Sequence, residues 1–251
     1  MFRYRQLGFD AMGVWRYKLQ EYGEEKAIEL LSENQMRVSS LHWAGGFTGG
    51  DGRTFRESML DALDAIEIAA SLKAGCLVIM TGSRGGHTRN HARRILKKAL
   101  TELSEAAMAR NVQLAVEPMH IGCAHDWTFL TELPMTLDIL ADIANPNIGI
   151  VFDSYHMAHD PNVFHWLPEL VPLIRLVQMG DSKSAPMGEQ NRCLLGEGAL
   201  PLEGIVQTLE ANNYKGVYEI ELMGEEIEHI EYEDILDRSA NALESWLALA
   251  E

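Results

Sequence analysis

The sequence predicts an α/β barrel of the TIM (β/α)8 type, forming one domain over residues 1–251, with the first strand missing or irregular at the N-terminus. Three observations predict it. Strand-like apolar runs alternate with helical periodicity along the whole chain, the pattern of parallel strands joined by helices. A length of 251 residues at 47% hydrophobic content matches one such barrel with a full core. Four of the apolar runs also end on a polar side chain, Glu117, Asp153, Gln178 or Glu221, each followed within a few residues by a breaker or turn residue.

Taken in order, the strands are read as AMGVWR (11–16), RVSSLHW (37–43), CLVIMTG (76–82), QLAVEP (113–118), GIVFDS (149–154), RLVQMGD (175–181) and VYEIEL (217–222). Between them, apolar residues recur at three- and four-residue spacing, which marks helices. The first carries Ile28, Leu30 and Leu31, the second Met59, Leu63, Ile66 and Ala70, and the third Ile95, Ala99, Leu103 and Ala106. Others run through Leu137 to Ile143, Leu167 to Ile174 and Ile205 to Leu209, and a closing helix carries Ile235, Leu243 and Trp246. The opening MFRYRQLGFD reads as the end of a helix feeding the first of these seven strands. Seven strands leave exposed edges, which are expected to be covered by a helix, a loop or a second subunit of a homo-oligomer.

Strand side chains alternate between faces. In LAVE, Ala115 and Glu117 oppose Leu114 and Val116; in GIVFD, Val151 and Asp153 oppose Ile150 and Phe152. Likewise Leu176 and Gln178 oppose Val177, and Glu219 and Glu221 oppose Tyr218, Ile220 and Leu222. One face packs on helices and the other points into a lumen. Three carboxylates and one amide oxygen gathered there make an oxygen-rich metal shell of Glu117, Asp153, Gln178 and Glu221. It suits one divalent ion, Mn or Mg in preference to Co or Zn. Glu219, two residues deeper than Glu221, is read as a buried network partner.

Composition excludes several classes. A formal charge of −16, from 21 basic and 37 acidic residues, disfavours nucleic acid as a partner. No apolar stretch approaches the roughly 18 residues needed to span a membrane, and the N-terminus lacks the core of a signal peptide, so a cytoplasmic protein is expected. Cys76, Cys123 and Cys193 are too widely spaced for a redox motif and read as free thiols. The Gly-rich stretches AGGFTGGDG (44–52) and GSRGGHTRN (82–90) lack phosphate-loop signatures and read as tight turns or a lid. RNHARRILKK (89–98) reads as an amphipathic helix with a solvated basic face. His42 ends its strand and is expected to line the pocket; His87 and His91 are spaced for a second metal site but favour none.

With VEP, DSYHM, VQMGDSK, R-x-x-x-GEG and YKGVYEIE in that order, residues 10–250 resemble the xylose-isomerase-like barrel superfamily. The resemblance implies that Glu117, Asp153, Gln178 and Glu221 hold the metal and that His156 and Arg192 contact substrate. It implies a metal-dependent isomerase or epimerase of a small keto sugar or hydroxy-keto acid, with Glu117 and Glu221 moving a proton through an enediolate. A dehydratase of a cyclic keto-polyol and a non-catalytic sugar-binding barrel are the alternatives. Apurinic-site endonucleases share the superfamily, but their zinc cluster needs histidine and aspartate where this chain has Gln178, Asn191 and Cys193. Gln178 instead resembles hydroxypyruvate isomerase and inosose dehydratase relatives. Ketose epimerases carry a further Glu where this chain has Cys123, so hydroxyl recognition is expected to differ.

Overall fold

In the computed structural model, which describes residues 2–250, seven parallel strands follow one another in chain order around a nearly closed barrel. They are β1 (Ala11–Trp15), β2 (Arg37–Gly45), β3 (Cys76–Met80), β4 (Leu114–Val116), β5 (Ile148–Asp153), β6 (Ile174–Met179) and β7 (Tyr218–Ile220). All seven coincide with the strands read from sequence. The helices are α1 (Phe2–Gln6), α2 (Arg16–Tyr22), α3 (Glu24–Glu33), α4 (Phe55–Leu72), α5 (Arg89–Ala109), α6 (Leu133–Ile143), α7 (Ser154–Met157), α8 (Val163–Leu170), α9 (Leu202–Ala211) and α10 (Tyr232–Ala248). Neither α2 nor the one-turn α7 is foreseen by periodicity, because helices of seven and four residues hold too few apolar repeats. The periodicity through Ile174 overshoots, since a 3₁₀ turn at Val171–Leu173 ends the helix and Ile174 opens β6.

The parity reading holds. Leu77, Ile79, Leu114, Val116, Ile150, Phe152, Val177 and Met179 join the main core between sheet and helices. Cys76, Val78, Met80, Ala115, Val151 and Leu176 form a smaller cluster inside the barrel. These interior side chains are apolar, while Glu117, Asp153, Gln178 and Glu221 gather where the strands end. Long helices brace this arrangement from outside. In α4, Ala62, Ala65, Ile66 and Ala69 are sealed against the sheet, and a capping box between Thr54 and Glu57 fixes where the helix starts.

β7 and β1 do not pair, and this seam is where an eight-stranded barrel would close. The expected cover is helical: Tyr4, Tyr232, Ile235 and Leu236 line the seam together with Met12, Gly13, Tyr218 and Ile220. The seam also admits the Glu219 carboxyl group, which lies where a side chain at Gly13 would be; a Cβ there would stand 2.8 Å from it.

The rim of the barrel depends on close backbone approaches. At the end of β2, Gly45 has φ of 149°, and an added Cβ would fall 1.6 Å from the carbonyl oxygen of Met80. The obstructing atom is backbone in the neighbouring strand and cannot step aside. Gly45→Ala is therefore expected to destabilise the fold by about 3 kcal/mol, the upper end of overpacking costs, read as a lowered urea midpoint; an unchanged midpoint would show that β2 and β3 part more easily than their pairing suggests.

Candidate functional site

The four polar strand ends meet at the C-terminal mouth. Asp153 and Gln178 close β5 and β6 and stand directly opposite in register. Glu117 follows β4, its N–H donating to the Ile79 carbonyl, and Glu221 follows β7, its N–H donating to Met179. Glu117, Asp153 and Gln178 are all but sealed from solvent, and the Glu221 side chain is 13% exposed. Three of their oxygens, Glu117 Oε2, Gln178 Oε1 and Glu221 Oε2, are buried without a hydrogen-bond partner. Buried polar atoms are normally paired, so three orphans in one place are a demand for a ligand. Oxygens of this kind fit a divalent cation.

His156 joins them from α7. Its side chain is fully buried, with Nε2 at 3.6 Å from Asp153 Oδ2 and 3.8 Å from Glu117 Oε1. Among the described residues, Glu117, Asp153 and His156 form the group whose ligand-capable atoms all lie within 4.8 Å of one another, a candidate metal site. Burial holds the His156 imidazole down to about 4, against the pull of Asp153, so the ring is neutral near pH 7.

Burial raises the Glu117 carboxyl well above the ordinary carboxylate value, and the neighbouring Glu221 and Asp153 charges push it further. Glu221 is raised mainly by the same burial, with Arg192 opposing. Asp153 goes the other way. Burial alone would raise it, but Arg192 outweighs that, donating from Nη1 to Oδ1 at 3.1 Å and from Nη2 to Oδ2 at 2.7 Å. The Tyr155 N–H adds a bond to Oδ1 at 2.8 Å.

Arg192 is thus placed on Asp153 and completely buried, with its guanidinium carbon 4.4 Å from the centre of the Tyr155 ring and Nη2 3.6 Å from Glu221. The guanidinium expected to contact substrate donates to Asp153 and, from Nε and Nη2, to Gln190 Oε1 at 3.3 and 2.7 Å. Its loop is held by Asp181, whose carboxylate accepts N–H groups from Ser182, Gly196 and Gly198. The GDS and GEG motifs are therefore two halves of one brace.

His42 lies one level deeper. Its Nε2 is 3.2 Å from Glu219 Oε1, and its ring stacks on Trp15 at 5.2 Å. Burial would lower His42, yet the bond and charge of Glu219 outweigh it and raise the imidazole to about 9. Glu219 also accepts from Ser39 Oγ at 2.5 Å, Ser40 Oγ at 2.7 Å and Gln178 Nε2 at 3.4 Å. That last contact turns the Gln178 amide so that its oxygen is the atom left free. Glu219 is the network partner its parity foretold. Ser39 and Ser40 were not singled out, although two serines inside an apolar strand signalled a buried acceptor.

Other sequence candidates resolve without new chemistry. The Gly-rich stretches pack on one another, with Gly82 against Gly46 and Thr48 Oγ1 donating to the Ser83 carbonyl. Along α5, Arg89, Arg93 and Lys97 pair with Glu132, Asp138 and Asp142 on or beside α6, so the basic run serves helix packing. The His87 and His91 rings lie 4.7 Å apart at a tilt of 42°, and among the described residues no third ligand joins them. The cysteines are free and buried; burial pushes Cys123 and Cys193 up to about 11.

Residues 3–246 match the family described as xylose isomerase-like TIM barrel. The chain belongs to that family. Within it, an inosose isomerase of Halalkalibacterium halodurans is 24% identical over 228 residues, 87% of this chain and 79% of the relative. A solved structure of the IOLI protein with a zinc atom superposes with a TM-score of 0.83 at 20% identity, covering 99% of this chain and 92% of the other. L-ribulose 3-epimerase gives the same TM-score at 16% identity, covering 99% and 87%. Identities this low tie the structures together by fold. Among the described residues, no helix is long and apolar enough to cross a membrane.

The raised groups make a sign prediction for metal-free protein. Stability tied to Glu117 and Glu221 is complete below the ordinary carboxylate value and is lost as pH rises through their raised values. His42 acts in the same direction, its contribution fading from 6.5 to about 9. The melting temperature should therefore fall from neutral to alkaline pH, and Glu117→Gln should raise it by about 2–4 °C for each kcal/mol of repulsion relieved; a flat profile in both proteins would show that neither carboxyl is strained. Glu219→Gln should have the opposite effect, costing about 3–5 kcal/mol in urea unfolding because it strands the buried His42 cation.

Proposed function

We propose that this family member is a divalent-metal-dependent isomerase or epimerase of a small keto sugar or keto-polyol, carried by one barrel domain and acting through an enediolate. The observation that carries the reading is the pair of buried, raised carboxyls Glu117 and Glu221, each with an unpartnered oxygen, at the ends of two different strands. Groups raised toward neutrality are suited to take and return a proton. Asp153, Gln178 Oε1 and the free oxygens of the two glutamates would hold the ion. Bound there, it would polarise a carbonyl and acidify the proton on the adjacent carbon.

The chain's own residues supply the remaining steps. One glutamate removes the α-proton, and the other, on a separate strand, returns it. Return to the opposite face of the same carbon is epimerisation; return to the neighbouring carbon, with the hydroxyl proton passing to the former carbonyl oxygen, is isomerisation. His156, neutral and facing the carboxylates, is suited to hydrogen-bond a substrate oxygen. Arg192 keeps Asp153 ionised and oriented, and Glu219 keeps the Gln178 oxygen facing the site. Near-complete burial excludes bulk water, which strengthens each of these interactions. The relatives named inosose isomerase favour a cyclic keto-polyol as substrate.

Turnover in deuterated water is expected to place solvent deuterium on the carbon next to the carbonyl, detected by NMR of the product. Glu117→Gln and Glu221→Gln should each reduce turnover by roughly 10²–10⁴-fold. A product lighter by one water would transfer the assignment to a dehydratase. Sugar binding that survives both substitutions, with no turnover in the parent protein, would make the barrel a binding module.

A further inference from the structure

The loop between β4 and α6 brings one thiol to the site. Cys123 is buried, and its Sγ stands 3.5 Å from Nδ1 of His156 and 3.6 Å from the carbonyl oxygen of His120. The other nitrogen of the same ring, Nε2, has no hydrogen-bond partner. It faces Asp153 Oδ2 at 3.6 Å and Glu117 Oε1 at 3.8 Å, and the whole side chain is closed to solvent. Both distances exceed the 2.7–3.2 Å range of an N–H···O bond, so neither carboxylate holds the ring.

A neutral imidazole carries one proton, and the partner at one nitrogen decides what the other nitrogen offers. The thiol also has one proton and two acceptors within reach. The His120 carbonyl, however, already accepts the Cys123 N–H at 3.0 Å and the Ala124 N–H at 3.1 Å, which uses both of its lone pairs. That leaves Nδ1 of His156 as the open acceptor. Sulfur, conversely, is a weak acceptor, so the reverse arrangement, Nδ1–H to sulfur, gains little. It would also set the Nε2 lone pair against the ionised Asp153 oxygen at 3.6 Å.

We infer that Cys123 is a positioning residue whose thiol donates to Nδ1 of His156, holding the imidazole proton on Nε2 and making His156 an unspent hydrogen-bond donor for a substrate oxygen beside Glu117 and Asp153. His156 is then a donor at the edge of the metal site and not one of its ligands, although its nitrogen lies within ligand distance of the group. This rests on the proposed reading only in naming a substrate oxygen as the acceptor; the tautomer itself is independent of any activity.

Two-dimensional ¹⁵N NMR of the ring nitrogens in metal-free protein at neutral pH tests it. The expected result is a His156 signal of the Nε2–H tautomer in the parent protein. In Cys123→Ala the two tautomers should mix, and Cys123→Ser, which keeps a donor, should restore the original signal. Where turnover is measured, Cys123→Ala should lower kcat/KM by roughly tenfold, with divalent-ion affinity within about threefold of the parent, because one hydrogen bond and no ligand is lost. A parent protein with the proton on Nδ1, or a tautomer unmoved by Cys123→Ala, overturns the inference. So does a tenfold or greater loss of metal affinity in His156→Ala, which would make Nε2 a ligand. Absence of isomerase turnover with the expected tautomer pattern would sink the functional reading and leave the role of Cys123 standing.

Discussion

Everything at the mouth of this barrel answers to an imbalance of buried charge. Four carboxyl groups, Glu117, Asp153, Glu219 and Glu221, share the interior with two cationic partners, Arg192 and His42. Burying an unpaired carboxylate costs several kcal/mol, so each acid must be paired, protonated or given a cation. Arg192 is spent on Asp153 and His42 on Glu219. Glu117 is left over and Glu221 meets Arg192 only at 3.6 Å, so burial, and after it the neighbouring carboxylates, raises both. A divalent ion would settle the imbalance, and acids held above the ordinary carboxylate value are suited to pass a proton.

The pairing determines how the surrounding chain is built. Arg192 is delivered to Asp153 by a loop that Asp181 folds back over the barrel, gathering four backbone N–H groups, from Ser182, Gly196, Gly198 and Leu200. Ser154 ties the ends of β5 and β6 together by accepting from the Gly180 N–H and donating to the Gly180 carbonyl. On the deeper level, Ser39 and Ser40 spend their hydroxyls on Glu219, and Gly13 omits a side chain so that the same carboxyl fits at the open seam. The seam and the site are thus coupled through one residue. Closing it with an ordinary strand contact would displace the group that orients both His42 and Gln178.

Particular residues show how far sequence reasoning reached. The strand ends Glu117, Asp153, Gln178 and Glu221 were legible because alternation in a strand is a local rule: a side chain's face follows from its neighbours'. The same rule predicted that Glu219 shares the interior with Glu221. The short α2 and α7 were not legible, because one or two turns carry no periodicity and are held by tertiary contacts. Arg192 illustrates a different limit. Its motif pointed to the site, but where its fork lands depends on how loop 181–200 folds, and that is set by bonds to Asp181 from both ends of the loop.

The sequence by itself determined the order of seven strands, the faces they present, and the set of polar groups delivered to one end, since hydrophobic alternation and strand–helix succession are written residue by residue. Tertiary structure alone decided which of those groups are neutralised, which oxygens are left without partners, and that Cys123 stands against His156. Those outcomes follow from distances of three to four ångströms between strands and loops far apart in the chain. At that range burial and charge decide protonation and hydrogen-bond direction, and neither quantity exists until the barrel has closed around them.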